Sequence, residues 1–76
     1  MSPRLPRVTA GELLRALRRD GWEVLRQTGS HAIMAHPTKP GHPVVPVHAG
    51  RTVRLGTLAS ILTDAGLTSD DLRRLL

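Results

Sequence analysis

The chain has no cysteine, no phenylalanine, no tyrosine and a single tryptophan, Trp22. Without cysteine there is neither a disulfide framework nor a thiolate metal site. One aromatic ring nearly excludes nucleic-acid binding by stacking bases on an aromatic platform. No apolar run approaches a membrane span. The opening Met1-Ser2-Pro3-Arg4-Leu5-Pro6-Arg7 is basic but lacks the apolar core of a secretory signal. A cytoplasmic protein without membrane contact is therefore expected. The most informative absence is of acid: the 40 residues from Val24 to Thr63 contain no Asp or Glu. All four histidines, His31, His36, His42 and His48, lie in that stretch with Arg26, Lys39, Arg51 and Arg54. Cations and imidazoles gathered without carboxylates suit a polyanion, and imidazole moves protons near neutral pH.

Seventy-six residues make one domain, 1–76, with residues 1–8 expected as a flexible lead-in. A chain of this length buries only about 60% of its unfolded surface, so its core must be compact. The net charge of +5 and pI near 11.6 favour anionic partners. Ten arginines against one lysine also fit an arginine-rich proteome, so the placement of charge says more than its total.

Thr9-Ala10-Gly11-Glu12 has the capping-box pattern, with Thr9 as N-cap and Glu12 three residues on. The spacing predicts a helix to about Asp20, with Ala10, Leu13, Leu14 and Leu17 on one face and Arg15, Arg18 and Arg19 opposite. Gly21 ends it. Trp22 to Gln27 reads as a strand, Thr28-Gly29-Ser30 as a turn, and His31 to His36 as a second strand. Alternation sets His31, Ile33 and Ala35 on one face and Ala32, Met34 and His36 on the other, without fixing which is buried. After a Pro/Gly loop over 37–43, Val44 to Val47 forms a third strand, placed at a sheet edge because Pro46 has no N–H. A helix from about Leu55 presents Leu58, Ala59, Ile61, Leu62 and Ala65 and ends at Gly66. Thr68 or Ser69 caps a last short helix, from which Leu72, Leu75 and Leu76 are expected to dock. The expected fold is α+β, in the α-β-β-β-α order of double-stranded-RNA-binding domains. It has a three-stranded antiparallel sheet, two helices on one face and a short C-terminal helix.

These residues can support metal-free RNA cleavage. The 2′-hydroxyl attacks its own phosphodiester, a base takes its proton, an acid protonates the departing 5′-oxygen, and cations steady the charge. His31 follows Gly29 and Ser30, which allow close backbone approach and offer N–H groups to a phosphate. Taken alone, Gly-Ser-His is a weak tripeptide that reads first as an exposed turn histidine with no role. His48 reads as a second proton-transfer group, a phosphate contact or a plain strand-end residue. His36 and His42, beside Pro37 and Pro43, read as structural or incidental. Histidine spacings of five, six and six residues with no intervening carboxylate match no usual metal pattern, so no metal and no cofactor are expected. Trp22 reads as a core anchor.

The runs Leu17-Arg18-Arg19-Asp20-Gly21-Trp22, Arg26-Gln27-Thr28-Gly29-Ser30-His31 and His36-Pro37 resemble the HicA toxin family, also described as YcfA-like mRNA interferases. So do Val45-Pro46-Val47-His48-Ala49-Gly50, Gly56-Thr57-Leu58-Ala59-Ser60-Ile61-Leu62 and Ala65-Gly66-Leu67, so that the likeness runs over roughly residues 9 to 70. The resemblance implies a toxin that cleaves messenger RNA without a metal, with His31 as its catalytic histidine and a HicB-type antitoxin as its partner. Arg26, Gly29, Ser30, Lys39, His48, Arg51 and Arg54 are the expected RNA contacts. Ala32-Ile33-Met34-Ala35 departs from the polar or aromatic residues common there in the family, which implies a weaker or differently placed grip if those residues touch RNA. Two other readings of the same fold are a non-catalytic duplex-RNA binder and a basic domain that meets an acidic protein. RNA left uncut in EDTA would favour the first, and negligible RNA affinity at physiological salt the second.

Overall fold

In the computed structural model, residues 4–76 are described. The first three residues of the expected lead-in lie outside that range. The rest of it is tethered rather than loose. Leu5 packs against the core, Val8 is buried, and the Val8 carbonyl accepts the Val53 N–H at 2.8 Å. Pro6 opposes a helix but is compatible with an extended strap, and Thr9 bridges Thr52 beside it.

Helix α1 spans Ala10–Arg19. Its capping box is complete: the Glu12 N–H donates to Thr9 Oγ1 at 3.2 Å, and the Thr9 N–H donates to Glu12 Oε1 at 2.9 Å. Ala10, Leu13, Ala16 and Leu17 are buried, while Arg15, Arg18 and Arg19 are exposed. Trp22 precedes the first strand instead of opening it and is fully buried, so it anchors the core.

Strands β1 (Glu23–Thr28), β2 (His31–Ala35) and β3 (Val44–Pro46) form an antiparallel sheet in the order β1-β2-β3. Pro46 therefore lies on an edge strand, where its missing donor costs no ladder bond. The undecided alternation in β2 resolves in one direction. Ala32 and Met34 point into the core with Val45, while His31, Ile33 and Ala35 lie on the open face. The opposite choice would bury an imidazole without a partner, whereas methionine fills an irregular core gap readily.

Helix α2 spans Leu55–Ala65 and α3 spans Ser69–Leu75, the latter opened by a second capping box between Thr68 and Asp71. Leu58, Ile61, Leu62 and Ala65 are buried on α2, but Ala59, one step round the helix from Leu58, is exposed. On α3 only Leu72 is fully buried; Leu75 packs at the core margin and Leu76 is exposed. Two helices on one face of a three-stranded sheet leave its other face uncovered.

Candidate active site

The four histidines separate into two pairs. His36 is fixed by its surroundings: Nε2 donates to the Asp20 carbonyl at 2.7 Å, and Nδ1 accepts the N–H groups of Thr38 and Lys39, each at 3.1 Å. Its ring meets Trp22 edge-on, with centroids 5.0 Å apart. Gly21 makes room for it, since a Cβ there would stand 2.6 Å from His36 Nε2, and the backbone φ of 105° already favours glycine. His42 Nδ1 bonds the Met34 carbonyl at 3.2 Å. Both rings are held by backbone groups, which favours the structural of the two roles that their sequence context left open.

His31 and His48 differ. Both are exposed, and among the described residues neither ring has a hydrogen-bond partner from the protein. His31 opens β2 directly after the two-residue turn Gly29-Ser30. Gly29 has φ of 56° and Ser30 does not have a positive φ, the pattern of a type II′ hairpin turn. Nothing lies within 4 Å of a Cβ built on Gly29, so the turn's surface is open.

The register assembles the rest. His31 lies opposite Thr28 on β1 and opposite Pro46 on β3, while Arg26 pairs with Ile33. Directly opposed residues share a face, so Arg26 is a diagonal neighbour of His31 on the open face, at a spacing that long side chains bridge. On the other side the Val47 N–H donates to the Ser30 carbonyl at 2.5 Å, which ties the turn to the residue before His48. Pro46, His48, Arg51, Arg54 and Thr57 line a groove of about 290 Å³ beginning at His31's cross-strand partner. Arg54 is the N-cap of α2 but makes no side-chain capping bond, and the first turn of α2 holds no acid. The free first-turn amides thus add positive potential at the groove.

Seven of the eight residues expected at the site therefore gather at one end of the sheet: His31, Arg26, Gly29, Ser30, His48, Arg51 and Arg54. Lys39 does not. Its ammonium is paired with Asp20 at 2.6 Å and donates to the Ala65 carbonyl at 3.3 Å. Ala65 and Arg54 stand at opposite ends of α2, roughly 16–17 Å apart at 1.5 Å per residue. Pro46 and Thr57 were not expected at the site; only strand pairing and the groove reveal them. Of the four departing residues, Ala32 and Met34 are core, so only Ile33 and Ala35 reach the open face, beside exposed Leu25 and Val44. Leu25 is the extra residue of a β-bulge between Val24 and Arg26.

Among the described residues no three His, Asp or Glu side chains converge as a metal would require. The two carboxyls held below their usual range are Glu12 and Asp71, chiefly by the backbone N–H groups of Thr9 and Thr68. Both are helix caps and neither belongs to this site.

Residues 10–67 match the family of HicA toxins of bacterial toxin–antitoxin systems. The chain belongs to the HicA toxin family. That membership makes it the toxin of a pair and implies an antitoxin as partner. The HicA match takes in the whole sheet, the Gly29-Ser30 turn, the groove and all of α2, and it stops short of α3. No curated protein matches the sequence. Among the described residues, no helix is long and apolar enough to cross a membrane.

Proposed function

We propose that this HicA-family chain is an endoribonuclease that cuts messenger RNA in the cytoplasm without a metal ion, with His31 transferring a proton at the scissile phosphodiester. The observation that carries this reading is the surroundings of His31. It is an exposed imidazole that no group among the described residues engages, at the corner of an open hairpin, with Arg26 beside it and an arginine-lined groove beyond Pro46. The site offers imidazoles and guanidinium groups but no carboxylate to hold a divalent cation, which suits intramolecular attack by the 2′-hydroxyl. Arg26, Arg51 and Arg54 hold phosphates, and the amides of the Gly29-Ser30 turn face the substrate. A HicB-type antitoxin silences the enzyme by covering the open face. The exposed apolar side chains of Leu25 and Val44 on that sheet, next to basic groups, fit an acidic partner with an apolar contact strip.

The test is labelled RNA incubated with purified protein in excess EDTA. The wild-type chain is expected to cleave, and His31→Ala, with an unchanged circular dichroism spectrum, to lose at least ~100-fold in rate. Cleavage abolished by the chelator, or full activity in His31→Ala, would overturn the reading. RNA bound but never cut would instead favour the non-catalytic binding module.

A further inference from the structure

We propose that His48 is the second proton-transfer residue of this site, forming with His31 a two-histidine acid–base pair. The proposal rests on the ribonuclease reading above and extends it. Cleavage by the 2′-hydroxyl needs two proton movements at once. One group takes the 2′-hydroxyl proton as the P–O2′ bond forms. Another gives a proton to the 5′-oxygen as the P–O5′ bond breaks, leaving a 2′,3′-cyclic phosphate and a 5′-hydroxyl. One imidazole cannot be both proton acceptor and proton donor in the same step.

Geometry points to His48 as the other. Of the four histidines, His36 and His42 are occupied by backbone groups. The two without hydrogen-bond partners among the described residues flank the same feature. His31 opposes Pro46 across the β2–β3 ladder, and His48 follows Pro46 by two residues and lines the groove that Pro46 opens. The bond from the Val47 N–H to the Ser30 carbonyl locks the two segments together immediately before each histidine. His48 and Pro46, the cross-strand partner of His31, thus line one groove, in which Arg51 and Arg54 stand ready to hold the phosphate. Lys39, the remaining flexible donor of the acid-free stretch, is paired with Asp20 elsewhere, which leaves His48 as the titratable group placed for the task.

The wild-type rate should follow a bell-shaped pH profile. His48→Ala should lose ~100-fold or more and lose one limb of the bell. His48→Arg, which keeps a cation for phosphate contact but cannot exchange a proton near neutrality, should not restore the rate. A nucleoside 3′-(4-nitrophenyl phosphate), whose leaving group needs no protonation, should restore turnover to one of the two alanine variants, His31→Ala or His48→Ala, and not to the other. The inference is overturned if His48→Ala keeps both limbs, if His48→Arg recovers wild-type rates, or if the activated substrate rescues neither variant. Should the wild-type chain fail to cut RNA at all, the ribonuclease reading itself falls. An active wild type with an unaltered profile in His48→Ala removes only the pair.

Discussion

Lys39 is the only lysine in the chain, and its ammonium joins three separate pieces: its own loop, the C-cap of α1 through Asp20, and the end of α2 through the Ala65 carbonyl. Asp20 also accepts the indole N–H of buried Trp22 at 3.2 Å, and its carbonyl receives His36. With side-chain exposures of 33% and 22%, this is a half-buried pair. Lys39→Ala should cost about 1–2 kcal/mol, because it leaves a partly desolvated carboxylate and a carbonyl without their donor. The thermal midpoint should fall by roughly 4–8 °C per kcal/mol in a domain of this size. Cleavage of RNA, measured well below that midpoint, should be unchanged. A variant of normal stability that has lost RNA binding would instead restore Lys39 to the substrate surface.

The helices differ in how their first turns are satisfied. Both α1 and α3 begin with reciprocal capping boxes, and their acids Glu12 and Asp71 are held below the ordinary 4.5 and 3.8, first by the backbone N–H of the capping threonine and then by its hydroxyl. A carboxylate lowered on folding stabilises fully above its unfolded value and loses that contribution as pH falls through its folded value. The stabilisation is therefore constant from neutrality down to the ordinary carboxylate range and disappears below it. Comparing thermal midpoints, the gap between the wild type and a Glu12→Gln, Asp71→Asn double variant should be constant above about pH 5 and narrow as pH falls below the ordinary carboxylate range. A gap that stayed constant throughout would contradict the capping role. Helix α2 has no such cap; Arg54 holds the position without a side-chain bond. Arg54→Asp supplies one and should raise stability by ~1 kcal/mol. It also places a carboxylate in the groove, so RNA affinity should drop more than about tenfold, as a titration at fixed salt would show.

At the scale of the molecule, the arginines divide into paired and unpaired groups. On α3, Arg73 and Arg74 are paired with Asp70 and Asp71 one turn away, whereas Arg26, Arg51 and Arg54 have no ion-pair partner among the described residues. If, as proposed, these free guanidinium groups at one end of the sheet neutralise phosphates and release counterions, binding should weaken steeply with salt, by a log–log slope of about −0.7 per contact on single-stranded RNA. Replacing Arg26, Arg51 or Arg54 by Ala should each flatten that slope by about one contact, and Arg73→Ala should leave it unchanged. Equal effects from all four would mean a diffuse basic surface in place of a site.

Local pattern was enough for the α-β-β-β-α order, the capping box at Thr9, the edge placement of Pro46 and the Gly29-Ser30 turn, because each depends on residues a few positions apart. The same holds for His31 as a candidate, since its turn and the family resemblance are both written in the chain. What needed the folded molecule was everything set by register. Which face of β2 is buried, the neighbourhood of Arg26, His31 and Pro46, the tether at Val8 and the removal of Lys39 from the site all follow from contacts between segments far apart in sequence. Alternation has a period of two and cannot choose its own inward face. Only packing against α1 and α2 makes that choice, and it is this choice that leaves His31 in the open.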